Sequence, residues 1–162
     1  MEQEIKTLEI ESRLGKRNVD PTKIIEFPRG LVGFEGEHRF VLLQIKPDAP
    51  LLVLQSIQTP QLGLLVTDPK FFLKDYVPQI NEAERTLLQI KNLNDVAVLV
   101  TVTIPQGEPD KATLNLTGPI VINHHSCVGV QVPQNDISGS GRVNLYSLAE
   151  DNNENDQSKD QA

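Results

Sequence analysis

The stretch that most limits what this chain can become is Val96-Ala-Val-Leu-Val-Thr-Val-Thr-Ile104. Nine consecutive residues are apolar or β-branched, and such side chains fit a pleated, buried surface better than a helix. A Pro-, Gly- and charge-rich loop, Pro105 to Lys111, should reverse the chain after it. Ala112 to Leu116 and Ile120 to Ile122 then read as two further strands, with a Gly118-Pro119 break between them where the chain is expected to change direction. Val128-Gly-Val-Gln-Val132 reads as a last strand. The region from Asp95 to Val132 is therefore a sheet-building centre, to which shorter segments must add.

Those segments come earlier. Lys6 to Leu14 alternates apolar and polar residues, placing Leu8, Ile10 and Leu14 on one face of a half-buried strand. Gly15 to Pro21 reads as a loop, and Lys23 to Phe27 as a second strand ended by Pro28. Phe27-Pro-Arg-Gly-Leu-Val-Gly-Phe34 is a compact bend, with Phe27, Leu31 and Phe34 as inward anchors and Gly30 in a positive-φ position. A phosphate cradle at these glycines is disfavoured, because Glu35-Gly-Glu37 follows and would repel an anion. Arg39 to Ile45, Leu51 to Ile57 and Leu62 to Thr67 are strands, the last two close enough in sequence for antiparallel pairing. Asp68-Pro69 is a helix start, and Lys70 to Tyr76 supplies one or two turns whose aromatics form a cover on the sheet rather than a partner surface. Asn81 to Ile90 reads as a second short helix. Eight or nine short strands and one or two short helices predict a mostly β fold, an antiparallel barrel or sandwich with a small helical insertion.

Composition separates body from tail. Glu150 to Ala162 holds no aliphatic residue larger than Ala, and its five acids oppose one lysine, a net −4 of the chain's −7. Such a segment cannot offset its ordering entropy, so a single domain is expected over residues 1–148, with a disordered acidic tail over 149–162. No lysine and arginine cluster stands among aromatics, which disfavours direct nucleic-acid binding. One cysteine excludes an internal disulfide. No secretory signal and no membrane-length apolar run are visible, so the expected compartment is the cytoplasm, with no membrane association.

Chemistry has one candidate, Asn123-His-His-Ser-Cys127. On an extended chain His125 and Cys127 share a face, with His124 opposite. A zinc site would need two further ligands, and only His38 and ordinary carboxylates are on offer. A cysteine nucleophile would need a base supplied by the fold. The polar-loop reading is preferred; no metal, cofactor or catalytic set is predicted. No Ser-x-Gly elbow and no dinucleotide fingerprint is present, so a binding protein is favoured over an enzyme.

Phe27-Pro-Arg-Gly-Leu-Val-Gly-Phe34, Leu54-Gln-Ser56, Asp68-Pro69 with Asp75-Tyr76, Asp95-Val96, Asn115-Leu-Thr-Gly-Pro-Ile-Val-Ile-Asn123 and Gln131-Val132 fall in an order and spacing that resembles the flagellar assembly factor FliW family, over about Ile5 to Val132. The resemblance implies a small antiparallel β-barrel-like fold, no enzymatic activity, and two protein partners: flagellin and the translational repressor CsrA. It implies that the protein antagonises CsrA once flagellin is exported, so that flagellin translation resumes. A chaperone or adaptor for another export substrate, with no translational role, is the alternative. Acidic balance suits a basic RNA-binding partner. By charge and loop position, the residues expected to bind partners are Glu35, Glu37, Asp75, Tyr76 and Asn123. Neither glutamate reads as buried, so reversing both to lysine is expected to spare the fold. One departure from the family pattern is Cys127-Val-Gly-Val-Gln-Val-Pro133, where the basic residue before the Gln-Val is missing and proline stops the last strand early.

Overall fold

A computed structural model describes residues 6–134 and 141–145. The expectations for the tail lie outside the described residues.

Ten strands follow in order. They are β1 (Leu8–Ser12), β2 (Gly15–Val19), β3 (Ile25–Glu26), β4 (Arg39–Gln44), β5 (Leu51–Ser56), β6 (Gly63–Thr67), β7 (Val96–Thr103), β8 (Thr113–Asn123), β9 (Val128–Gln131) and β10 (Arg142–Asn144). One helix, α1 (Glu82–Leu88), stands between β6 and β7. Strands β3 to β8 are antiparallel neighbours in chain order, and β9 closes the ring by pairing antiparallel to β8 and parallel to β3, the latter at Glu26 opposite Val128. The predicted antiparallel barrel-like fold is thus present, with one parallel contact at its seam. β1 and β2 form a separate two-stranded hairpin.

Both faces of this sheet are covered, which is why the strands read as near-continuous apolar runs instead of alternating ones. Inside lie Ile25, Phe27, Leu31, Phe40, Leu54, Val66, Leu99, Ile120 and Ile122. Phe27 and Phe40 meet edge to face, their ring centroids 5.2 Å apart, and each buried side chain of this size contributes about 1.5–3 kcal/mol. Outside, the hairpin lays Ile10 and Val19 on Val41, Leu43 and Val53. Helix α1 lays Leu88 on Val121, Val130 and Val132. Phe72, Leu73 and Tyr76 cover Val100, Val102, Leu114 and Leu116.

Local chemistry starts and stops these elements. Asn81 accepts from Glu84 N–H at 2.8 Å while the Glu84 carboxylate accepts from Asn81 N–H at 2.9 Å, a reciprocal cap that satisfies two donors at the head of α1. The Asp68-Pro69 start produces a short 3-10 turn, Pro69–Phe71, with Asp68 Oδ1 accepting from Lys70 N–H at 2.9 Å.

Two expectations are corrected. Gly15 to Val19 is a strand and not a loop, since every residue of β2 pairs with β1 although only Val19 is buried. The Gly118-Pro119 break does not reverse the chain. β8 runs through it as one strand, and its register against β7 jumps from Leu99 opposite Ile120 to Thr101 opposite Asn115. The kink lets one edge of β8 serve two partners, β10 before it and β9 after it. Among the described residues, no helix is long and apolar enough to cross a membrane.

Candidate partner-docking surface

The β8 kink, Leu116 to Pro119, is where two loops are fastened. Tyr76 Oη donates to Leu116 O at 2.8 Å. Gln134 N–H donates to Thr117 O at 2.8 Å, and its side-chain amide exchanges two bonds with the backbone of Gln79, at 2.8 and 2.9 Å. These contacts hold the segment from Phe72 to Gln79. On the other side, Gln131 Nε2 donates to Gly118 O at 2.9 Å while its Oε1 accepts from Val32 N–H at 2.8 Å. That bond holds the bend after Phe27. The proline at 133 ends β9 but not the contact, because Val132 and Gln134 still donate to Pro119 O and Thr117 O.

Within the bend, Gly30 has φ +65°, as its position predicted. Leu31 and Phe34 exchange backbone bonds of 3.3 and 2.8 Å. Phe27 and Leu31 point inward, but Phe34 is 41% exposed and Val32 68% exposed, so Phe34 is not the third anchor. Geometry explains this: the chain doubles back between residues 31 and 34 and throws the second aromatic outward. The segment after Asp68 divides similarly. Phe72 and Tyr76 cover the sheet as expected, whereas Phe71 and Val77 stand out into solvent.

The five predicted residues do not form one set. Glu35 is exposed, with Oε1 accepting from Gly33 N–H at 3.2 Å. Asp75 is exposed on the second loop. Glu37 is half-buried, its two carboxylate oxygens accepting from Thr59 Oγ1 at 2.5 Å and Ser56 Oγ at 2.7 Å. The hydroxyls of Thr59 and Ser56 hold that carboxyl below the usual carboxylate range. Glu37 therefore ties the bend to the β5–β6 connection, and a lysine there would not leave the fold untouched. Tyr76 is half-buried, and that burial pushes its phenol up to about 12. Asn123 is buried at the far end of β8, seven residues from Leu116 and so roughly 20 Å away. Its Nδ2 donates to Leu88 O at 2.9 Å and Gln89 O at 3.3 Å, and its Oδ1 accepts from His125 N–H at 2.9 Å. The side chain is thus spent inside the protein, closing the end of α1 and the turn after β8.

That turn also revises the histidine geometry. The backbone is not extended, so the rings of His124 and His125 lie side by side, centroids 4.5 Å apart. His125 Nε2 is 3.2 Å from Asp95 Oδ1. Cys127 has φ +56° and turns its thiol to Thr22 O at 3.4 Å. Among the described residues, no three His, Cys, Asp or Glu side chains are grouped to hold a metal.

The two loops expose apolar side chains (Val32, Phe34, Phe71, Val77), carboxylates (Glu35, Asp75) and the cations Arg29, Lys70 and Lys74. Such a mixture suits protein docking better than catalysis. The apolar members were missed in the sequence because they sit beside true core residues of the same type. The family model described as FliW protein matches residues 9–145. The chain belongs to the FliW family. It is 54% identical over 145 residues to the flagellar assembly factor FliW of Desulfovibrio desulfuricans, covering 88% of this chain and 87% of the relative. Against the flagellar assembly factor FliW of Bacillus subtilis it is 36% identical over 125 residues, covering 76% and 86%. A solved crystal structure of the flagellar assembly factor FliW superposes with a TM-score of 0.76 at 31% identity, over 86% of this chain and 96% of that one. The FliW fold, mostly β with one short α-helix, Glu82–Leu88, is therefore shared.

Proposed function

We propose that this FliW-family chain is a non-enzymatic cytoplasmic regulator that binds flagellin and, when flagellin has been exported, binds the translational repressor CsrA and relieves its repression of flagellin synthesis. The observation that carries this reading is the pair of loops fastened to the β8 kink, one exposing Val32, Phe34 and Glu35 and the other Phe71, Asp75 and Val77, with Arg29, Lys70 and Lys74 also exposed on them. Apolar side chains supply contact area, and carboxylates suit the basic surface that an RNA-binding repressor must present. Glu35 and Asp75 are the proposed partner contacts. Glu37 and Tyr76 hold their loops in place, and Asn123 holds the opposite end of β8.

A regulator of this kind must not serve both partners equally at once, and linkage makes the required negative coupling reciprocal. The test is a competition titration with purified flagellin and CsrA at low and at moderate salt. Flagellin should displace CsrA, and CsrA association should slow as salt rises. Replacing Glu35 and Asp75 by lysine should weaken CsrA several-fold at low salt, on the scale of rim charges. Failure of saturating flagellin to displace CsrA would refute the switching role. Normal binding by the charge-reversed variant would refute only the site.

A further inference from the structure

The barrel wall is incomplete at the end away from the kink. β3 pairs only Ile25 and Glu26 with β4, whereas β4 continues to Gln44. The chain leaves the wall because Asp20 and Pro21 start a tight turn, Pro21–Lys23, just before β3. Arg39 O accepts from Ile57 N–H at 3.0 Å, so the odd residues of β4 turn their backbone groups toward β5. By the alternation of an antiparallel ladder, Leu42 and Gln44 turn theirs the other way, past the end of β3. No strand among the described residues pairs with them there.

A cleft of about 570 Å³ occupies that space. Its far side is Ala97 and Ile122, which pair between β7 and β8. In the ring β4 and β8 are separated by β3 and β9, so a wall lacking both is about three strand spacings wide, roughly 14 Å. An extended chain fits at one spacing from β4. Ile25 and Leu42 add apolar surface to that of Ile122; His124 and Cys127 are among the polar lining, and the exposed Arg17 and Lys23 stand at the rim. The carboxylate at the rim, Asp20, accepts from Thr22 N–H and Oγ1 at 2.9 and 2.7 Å and lies in the field of Lys23, so the three charged rim residues leave one net positive charge.

The geometry points to β4 as an acceptor edge: an extended segment of a partner protein adds as a strand beside Leu42 and Gln44. An apolar side chain enters the cleft, and acidic residues on either side of it meet Arg17 and Lys23. Main-chain bonds supply the attachment, and the apolar and charged contacts select the segment. This inference concerns a mode of recognition and stands whether or not the partners proposed above are right.

The test uses the full-length chain and a fluorescein-labelled seven-residue peptide alternating valine and threonine, with glutamate at each end. Anisotropy measures binding, and amide hydrogen exchange of Leu42 and Gln44 reports its place. Both amides should exchange freely in the peptide-free protein and slow at least tenfold when the peptide is bound. Methylating alternate peptide nitrogens on the edge-facing side should abolish binding. Arg17→Glu with Lys23→Glu, both on exposed side chains, should weaken it about tenfold at low salt. No binding at millimolar peptide overturns the proposal, as does binding that leaves Leu42 and Gln44 unchanged. Protection of those amides without peptide would mean that another part of this chain covers the edge, and equal binding of the methylated peptide would mean a side-chain pocket for amphipathic ligands; either result overturns it.

Discussion

Replacing Gly30 by alanine should destabilise the fold by about 2–5 kcal/mol, and the bend contains its own controls. Gly30 has φ +65°, and a Cβ placed there would lie 2.6 Å from Glu35 O and 2.7 Å from Glu35 Cα. Two costs follow. The left-handed backbone costs an L-residue about 1–2 kcal/mol. The Cβ also collides with backbone, which cannot swing aside as a side chain can, and overpacking of this kind adds about 1–3 kcal/mol. Gly33 has φ +86° with nothing within 4 Å of its Cβ position, so Gly33→Ala should show the backbone cost alone. Gly36 has no positive φ and open space, so Gly36→Ala should be near neutral. Urea unfolding followed by circular dichroism orders the three: with a slope of about 2 kcal/mol/M, Gly30→Ala lowers the midpoint by roughly 1–2.5 M and Gly33→Ala by roughly 0.5–1 M. Equal effects at Gly30 and Gly33 would refute the collision argument. A Gly30→Ala midpoint within about 0.2 M of the parent would refute the left-handed reading as well.

Other substitutions address other contacts. Gly129→Ala would put a Cβ 2.4 Å from Cε1 of Phe27, whose ring is fully buried, so thermal and urea unfolding should show a loss of about 1–3 kcal/mol. Because Glu37 is depressed below its unfolded value, its contribution is present above the unfolded pKa near 4.5 and is lost as pH falls through the folded value; stability measured against pH should therefore fall less steeply below pH 4.5 in Glu37→Gln than in the parent. Tyr76→Phe leaves Leu116 O without its 2.8 Å donor and should cost about 1 kcal/mol. In the parent, the Tyr76 phenol favours its neutral form in the folded state, so stability should decline between about pH 10 and about 12, a decline that Tyr76→Phe loses.

How far the sequence could be read depends on how local the deciding force is. The strands around Phe40, Leu54, Val66 and Leu99 were legible because burial on both faces of the barrel wall selects apolar residues at nearly every position. β2 was not, because Gly15-Lys-Arg-Asn-Val19 is held by its backbone ladder to β1, and a ladder leaves no mark on side-chain type. The Gly118-Pro119 break looked like a reversal, yet Pro119 sits where β8 passes from β10 to β9. A missing N–H is tolerated at such a handover, and only the distant arrival of both partners makes it one. Glu35 and Asp75 were legible as exposed loop carboxylates. The internal bonds of Glu37 and Asn123 were not legible for one reason: what engages them comes from far along the chain, Thr59 in the first case and Leu88 in the second.

Asn123 offers the sharpest way to separate a structural residue from a contact residue in this fold. The C-terminal end of α1 leaves the carbonyls of Leu88 and Gln89 without helical partners, and Gln89 bends away at φ +55°. Asn123 Nδ2 satisfies both carbonyls, while Oδ1 orders the turn through His125 N–H. An alanine leaves Gln89 O and His125 N–H without these partners and Leu88 O with only Ser126 Oγ, at 3.1 Å, at a site where Asn123 itself is 2% exposed, at a cost of about 1–3 kcal/mol. An aspartate costs more, because its charge is buried and its oxygens face two carbonyls where a donor stood. Asn123→Ala should therefore lower the melting temperature by several degrees, and Asn123→Asp by more, with α1 amides nearest Leu88 losing exchange protection first. Below the transition, the folded fraction of either variant should bind the two proposed partners, flagellin and CsrA, with parental affinity, since the loops proposed to dock them hang from the other end of β8. Parental stability with lost binding would reverse the assignment and return Asn123 to the partner surface.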